Sequence, residues 1–579
     1  MGSVGRVTGS KPMKRVLWRQ AYPQRVSRRA VLRLAGTAGF LGWSRLQVTA
    51  GGAAGVTTAA AAATRPRGDG HVAELLDGLH LPDPLIVEAY RHAALQNVLA
   101  AVNNQVFYGY WSVCADGQGF GYGNTYPSLD GHQMSDALLS LGQLEVVKAN
   151  WQYVRSFQRP NGQLPIAILP ALKEVMGTPV EANGGFYRHW VRGDPLRALG
   201  GPTYIQNADV LYRLTLDKAW LTEQLGSINL AADFLASLTS AAGRVAGAGY
   251  YMERPVRIEY DGVAQCYAAD AFRQVGALNR HVGQMDSARK YEDLADRITS
   301  HFRRHFWAKD HCVEYIHPQR GPIAHHGLTD VDWSALATGV ASPAQQERLW
   351  PQLRHEPLFY YGGMPTGIVT RPETYEDWEF TDPVRLDLAA MGRVWYLECW
   401  ARARMNDGDG IVDTIRRVCR VGRADGYYWR ERYVDDGQGG CQGRGASKYC
   451  EYPANLVRII QRFLLGVDFR LDGALALCPT VPASYWDKGF GQTLIWRGRR
   501  LSYRMARARA TGEYQGPSSQ KVLIRSPSLA VGTNHTAKGR LRVVVDGHQV
   551  DARMENDLVC IALPPSPAGC SFELRLAEA

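Results

Sequence analysis

From Leu81 onward, apolar residues return every three or four positions in one stretch after another, the spacing of helices that bury one face. The first stretch spans roughly residues 84–103. "MSDALLSLG" then passes through Gly142 into "QLEVVKANWQYVRSFQ", and "YIQNADVLYRLTL" turns at Asp217 into "AWLTEQLGSINLAADFLASL". "GVAQCYAADAFRQVGALNRHVG" leads into "DSARKYEDLADRITSHFRRHF", and "VDWSALATGV" turns at Ser342 and Pro343 into "AQQERLWPQL". "RLDLAAMGRVWYLECWARARM" gives way after Asn406 to "GIVDTIRRVCRVG", and a last helix starts near Pro453, whose fixed φ suits a first helical position. The pattern predicts twelve helices joined alternately by tight turns and long loops, the loops falling near 104–127, 159–202, 241–261, 307–330, 354–383 and 423–452. Paired antiparallel helices make six hairpins. Packed in a ring, they put every tight turn at one end and every long loop at the other.

After Gly466 the texture changes to short β-rich runs: "ALALCPTVP", "GQTLIWRGRRLSYRMA", "KVLIRS", "RLRVVVDGHQVDARM" and "CSFELRLAE". Asp546-Gly547 between two of these half-strands is a hairpin turn signal. The expectation is a mostly α chain: a leader over 1–70, a ring of helical hairpins over 71–466 and a C-terminal β-sandwich over 467–579. A chain of 579 residues is long enough for two cores.

Composition is that of an ordinary soluble protein, 45% hydrophobic and 21% charged. The net charge of +11 suggests a nucleic-acid partner until it is located: residues 1–70 hold twelve Lys or Arg and one acid, Asp69. Residues 71–579 are therefore neutral as a whole, with no electrostatic footprint for a phosphate backbone. Within the basic leader, "SRRAVLRLAG" carries the pair Arg28 and Arg29 ahead of a mild apolar run and an alanine tract. It resembles a twin-arginine export signal, which implies the twin-arginine export machinery as a partner and an exported, already folded protein. The apolar run is too short, and too interrupted by Arg33 and Arg45, for a stable membrane anchor. None of the ten cysteines forms a paired C-x-x-C metal signature; Cys266, Cys399 and Cys419 read as buried thiols, while Cys441 and Cys450 flank one loop and are placed to pair after export.

The long loops carry the candidate chemistry. "QVFYGYW", "GGFYRHW", "GYYMERP", "YEDWEFTD" and "GYYWRERY" combine aromatic rings with carboxylates, the equipment for stacking on sugar rings and hydrogen bonding to their hydroxyls. Alternating hairpins and loops, the β-rich tail and the join "FLLGVDFRLDGALALCPTVPASYWDKGFGQTLIWRGRRLSY" together resemble the six-hairpin glycosidases: the glucoamylase-, trehalase-, α-L-rhamnosidase- and cellobiose-phosphorylase-like enzymes. The resemblance implies an (α/α)6 barrel, a carbohydrate substrate and no cofactor or metal. It also implies a general acid on the loop before the sixth helix of the ring, counting from residue 84, and a base on the loop before the twelfth.

Glycosidic hydrolysis needs one carboxyl to protonate the leaving oxygen and, in inverting enzymes, another to activate water. Glu253 in "GYYMERP" occupies the acid's loop, with Glu259 in reserve; an ion pair with Arg254 or Arg257, or helix capping, is the competing role. Glu451, between Tyr449 and Tyr452 where the last helix starts, occupies the base position; favouring the helix dipole is its competing role. Glu431 is the reserve base, although Arg430 and Arg432 make it a candidate ion pair. Substrate contacts fall to Trp111, Asp130, His132, Tyr187, Trp190, Asp332, Trp333, Asp377, Trp378 and Trp429, with capping as the alternative for Asp130 and Asp332. His325 and His326 are adjacent and expected to diverge, so no metal site is assigned. Two other readings remain open. A lyase or unsaturated-uronide hydrolase would use Tyr187, Arg188 and His189 of "GGFYRHW", and a non-catalytic carbohydrate-binding protein would have loop carboxylates that all bond internally.

Overall fold

In the computed structural model, residues 69–102, 111–116, 128–168, 174–175, 178–179, 185–188, 194–248, 259–355, 359–365, 367–380, 388–526, 541–551 and 553–576 are described. The arginine pair of the leader, Glu253, His189 and Trp190 lie outside these residues. Helix α1 (Asp69–Gly78) precedes twelve helices that belong to the ring. These are α2 (Pro84–His92, prolonged by a π turn to Val98), α3 (Ser128–Ser140), α4 (Leu144–Arg155), α5 (Gly200–Thr215), α6 (Lys218–Ser237) and α7 (Gly262–His281), then α8 (Met285–His305), α9 (Asp330–Ala337), α10 (Pro343–Leu353), α11 (Gly392–Arg404), α12 (Gly408–Ala424) and α13 (Glu451–Ile459, prolonged by a π turn to Leu464).

The odd-numbered members α3, α5, α7, α9, α11 and α13 pack neighbour against neighbour until α13 meets α3 again, and so close an inner ring. Their burial follows. All eight residues of α9 and all of Glu451–Ile459 in α13 are buried. The outer helices instead keep a single apolar stripe, as in α8 (Ala288, Tyr291, Leu294, Ala295, Ile298, Phe302) and α12 (Ile411, Val412, Ile415, Val418, Cys419). Local chemistry starts and stops each hairpin. Asp217 caps α6 through the Trp220 amide (3.0 Å), Ser342 and Gln345 form a capping box on α10, and Leu216 closes α5 in the left-handed region (φ 48°).

Two boundaries differ from the sequence pattern. Helix α11 starts at Gly392 rather than near residue 385, because Ala390 exchanges both backbone hydrogen bonds with Tyr433 (2.8 and 3.0 Å). Helix α1 lies where the leader was expected to end. It packs on the strand Phe490–Trp496, tied there by Glu74 to Arg500 and by a reciprocal pair of bonds between His80 and Gly491.

The C-terminal region holds two sheets. One orders strands 467–469, 475–477, 520–524, 558–563 and 553–555; the other orders 490–496, 499–506, 509–516, 566–576, 541–545 and 548–550. Leu475, Val522 and Ile561 of the first share a core with Tyr503, Tyr514 and Phe572 of the second, and that core is continuous with the ring's. The Asp546-Gly547 turn has positive φ at both residues (47° and 78°), the type I′ geometry that matches strand twist. All ten cysteines are free; Cys450 Sγ faces the Asn97 carbonyl at 3.7 Å, which corrects the pairing with Cys441. No helix among the described residues is long and apolar enough to cross a membrane.

A buried charge cluster ties two of the long loops together. His326 Nδ1 bonds Glu314 Oε2 (2.5 Å) and its Nε2 faces Glu379 Oε2 (3.3 Å). Tyr375 donates to Oε1 of Glu314, Tyr315 to Oε1 of Glu379. The rings of His325 and His326 do not diverge: they sit 4.2 Å apart, because His326 is stacked on Tyr375 at 3.7 Å. Ligand-capable atoms of His325, His326 and Glu379 lie within 4.8 Å of one another, yet both nitrogens of His326 already face carboxylates. Burial alone would depress the imidazolium, but Glu314 and Glu379 outweigh it and hold its pKa at about 9. A pKa raised on folding gives stability that is complete below the ordinary value of 6.5 and lost as pH rises through about 9. The melting temperature is expected to fall across that window, and Glu379→Gln to flatten the fall. An unchanged slope in the variant would show that the cluster does not titrate there.

Candidate active site at the loop end of the ring

Each inner helix follows a long loop and precedes a tight turn, so all six inner N-termini point to the loop end. Unpaired N–H groups and aligned dipoles make that end favourable to anions. The sequence supplies acids there: Asp130 in the first turn of α3, Asp261 capping α7, Asp330 and Asp332 in α9, and Glu451 opening α13.

Glu451 is 3% exposed and held by Arg393 of the neighbouring inner helix. Its Oε1 accepts from the Arg393 backbone N–H (2.5 Å) and from Nε (2.8 Å), and its Oε2 accepts from Nη2 (2.5 Å). An ionised carboxylate offers about four lone pairs, so the acceptor position left over belongs to Oε2. Gly392 eases the approach: a Cβ there would lie 3.0 Å from both Glu451 Cγ and the Tyr452 amide, tight enough to press on the pair. Glu431, equally buried, accepts from the Ala446 amide (3.0 Å) and pairs with Arg432 (3.0 Å). Gly445 (φ +70°) passes so close that a Cβ would sit 2.2 Å from Glu431 Oε2.

Asp130 completes the group. It is 5% exposed, and its Oδ1 is buried without a hydrogen bond. Burial pushes its carboxyl up, Arg393 and the Tyr449 hydroxyl pull it down, and Glu451 and Glu431 push it up again, to about 7. The floor beneath is a short ladder in which Ala115 bonds Lys448 (2.9 Å) and Cys450 bonds Val113 (2.8 Å), fixing Tyr449 opposite Cys114. The structure thus brings Glu431, Glu451 and Arg393 within electrostatic reach of Asp130. A carboxyl that holds its proton near neutral pH beside a fixed carboxylate is the kind of unequal pair that acid–base chemistry uses.

The other expected contacts divide. Asp332 is committed to capping: its oxygens accept from the Cys312 amide (2.7 Å) and the Thr329 amide (2.6 Å). Trp111, Trp333 and Trp429 are at most 1% exposed, so they pack as core rather than offering a face to a sugar; Trp429 Nε1 donates to the Val418 carbonyl (3.1 Å). Glu259 pairs with Arg197 (3.1 Å) at a half-exposed position. Tyr187 donates to the Phe157 carbonyl and carries Arg159 over its ring at 3.7 Å, which leaves the lyase reading no poised tyrosine base. Trp378 is half-buried on the loop of the His326 cluster, under Arg320 (3.9 Å), with Asp377 exposed beside it. His132 lies deeper than Asp130, against Arg458. Sequence reasoning missed Arg393 and Tyr449; the one signal for Arg393 was a lone charge inside the apolar run "AAMGRVWYL".

No family model and no curated protein sequence matches the chain. Solved structures do. An α-L-rhamnosidase from Dictyoglumus thermophilum superposes with TM-score 0.54 at 12% identity, over 86% of this chain and 50% of that one. A GH78 family rhamnosidase of Bacillus sp. GL1 gives 0.54 at 12%, over 76% and 40%. The Streptomyces avermitilis α-L-rhamnosidase gives 0.50 at 12%, over 86% and 42%. This is the fold of the six-hairpin glycosidases. The chain spans half or less of the length of each of these three proteins, and the likeness is one of fold.

An acid whose pKa rises on folding destabilises the native state as pH climbs from its unfolded value to its folded one. Asp130→Asn is therefore expected to melt above wild type at pH 8, with the gap closing between about 7 and 4. A variant that melts below wild type at pH 8 would mean that Asp130 is a structural cap.

Proposed function

We propose that this protein is an exported glycoside hydrolase that cleaves an oligo- or polysaccharide with two carboxyl groups, Glu451 as base and Glu253 as acid. The observation that carries the reading is the meeting of Asp130, Glu431 and Glu451 at the loop end of a ring whose fold it shares with α-L-rhamnosidases. Arg393 fixes Glu451 and leaves one acceptor position on Oε2 for a water. That water would attack the anomeric carbon while the acid protonates the leaving oxygen, which inverts the anomer. The separation that leaves room for water is roughly 6.5–9.5 Å between the two carboxyls. The aromatic loops at this end would hold the sugar.

A second assignment of the acid has its own support. Asp130 is a buried carboxyl that keeps its proton to about 7, the property a proton donor needs. The two are separated by leaving-group dependence, because a substrate with a good leaving group needs little protonation. Loss of the true acid should spare aryl glycosides and disable alkyl ones. Glu253→Gln is expected to show that split and Asp130→Asn to fail on both; the reverse pattern makes Asp130 the donor.

The base is tested on a panel of synthetic glycosides and natural polysaccharides headed by α-L-rhamnosides. Glu451→Gln should lower turnover about 100- to 10,000-fold. Because it leaves the buried Arg393 without its counter-charge, it should also lower the melting temperature, so turnover is compared at a temperature where both proteins are folded. Full activity in that variant would leave Glu451 as a structural partner of Arg393 and move the test to Glu431. Export is tested separately: replacing Arg28 and Arg29 with Lys should retain the precursor in the cytoplasm, and unchanged export would refute the twin-arginine reading.

A further inference from the structure

The proposed chemistry leaves unused a second concavity inside the ring. Helices α3, α5, α7, α11 and α13 leave between them an axial pit with about 470 Å3 of free space, part of it open to solvent. It opens toward the tight-turn end. Arg462 in the last turn of α13 is exposed, and Trp400 and Gln274 in the second halves of α11 and α7 are partly exposed, whereas His132, Tyr267 and Arg458 below them are buried. Arg462 also lines a neighbouring cleft against the β-sheets, as does Asp468.

The lining is mixed in a specific way. Trp400 and Phe463 lie parallel (11° apart, 6.4 Å between centroids), and Tyr396 leans on Phe463 at 5.0 Å, giving one aromatic wall. On α7, Asp270 Oδ2 accepts from Gln274 Nε2 at 2.9 Å and, from α5, Gln206 Nε2 at 3.4 Å, giving a ledge of alternating donors and acceptors. Two polar atoms among the lining residues, Gln274 Oε1 and His132 Nδ1, are buried without a hydrogen bond. Buried polar groups are rarely left so, and each is a place for a ligand hydroxyl. The charges cancel: Asp136 pairs with both Arg458 (2.8 Å) and Arg462 (2.9 Å), and Asp270 offsets the remaining cation. A neutral pit with an aromatic wall and convergent donors and acceptors selects neither an anion nor a cation.

We propose that this pit is a non-catalytic binding site for a neutral pyranose, either a free monosaccharide or the terminal sugar of a chain. The pit opens at the opposite end of the ring from Asp130 and Glu451, with His132 and Arg458 at its buried base, and the proposal does not depend on the catalytic reading. The test uses the full-length protein and a Glu451→Gln variant, titrated by calorimetry and by ligand-observed NMR with neutral monosaccharides and the matching disaccharides. Binding in the pit should survive Glu451→Gln. It should weaken about tenfold in Asp270→Asn, which removes a hydrogen bond to a charged group, and vanish in Val210→Trp, which fills the mouth. Turnover of a small soluble glycoside should be the same in both pit variants as in wild type. If Asp270→Asn fails to fold, Val210→Trp at its half-buried position carries the test. Monosaccharide binding identifies free sugar as the ligand; binding of disaccharides alone identifies a chain end. The proposal is overturned if neither class binds, so that the pit holds water only, or if binding is indifferent to both Asp270→Asn and Val210→Trp.

Discussion

The buried ion pair between Arg393 and Glu451 is the constraint on which the site depends. It joins the first turns of two adjacent inner helices, α11 and α13, at a point where a Cβ on residue 392 would press on Glu451 and the Tyr452 amide at 3.0 Å. Two charges are hard to desolvate unless geometry and extra hydrogen bonds compensate, and here the Arg393 backbone N–H adds a third bond to the two from its guanidinium. Breaking the pair from either side would strand a buried charge, so the carboxylate is held in one place. Its field, with that of Glu431, then helps to lift Asp130 toward neutrality. One contact thereby ties α11 to α13, fixes a carboxylate and contributes to the raised proton affinity of its neighbour.

The rest of the ring repeats the same theme at lower intensity. Helices buried on every side must carry polar groups only where a partner waits, and they do: Asp136 with Arg458 and Arg462, Asn455 with Gln133 (2.5 Å), Glu398 and Asp407 with Arg402. Asp130 at the loop end and His132 and Gln274 around the axial pit each keep a buried polar atom without a hydrogen bond, as do Gln133, Asn207 and Asp209 elsewhere on the inner helices. Stability and chemistry are thus in tension at Asp130, a group that the fold would hold more easily as an amide.

Much of the architecture was legible because helical period and turn residues are local. Asp217, Gly142, Gly283 and Ser342 mark their turns where the pattern places them. The site was half legible. Glu451 and Asp130 sit at helix starts that the pattern locates, and the alternation of loop lengths brings them to one end. Arg393 and Tyr449 were not legible, since their meaning lies in pairing across 58 residues and in a ladder with residues 113–115. The start of α11 was misjudged because "RLDLAAM" has helical character while Ala390 is captured by a bridge to Tyr433 more than forty residues away. Tryptophans misled for a different reason: a large ring beside acids is as useful for sealing a loop floor as for stacking on sugar, and sequence does not separate the two.

The central claim is that the carboxyl group at the loop end is where a sugar is processed. The most direct measurement is a crystal structure of the protein soaked with a mixture of pyranose-like iminosugars, which resemble the charge of the glycosidic transition state. The account predicts an iminosugar at the loop end, its cation facing Glu451 and a ring hydroxyl within hydrogen-bond distance of Asp130. An iminosugar found in the axial pit with the loop end empty would contradict it.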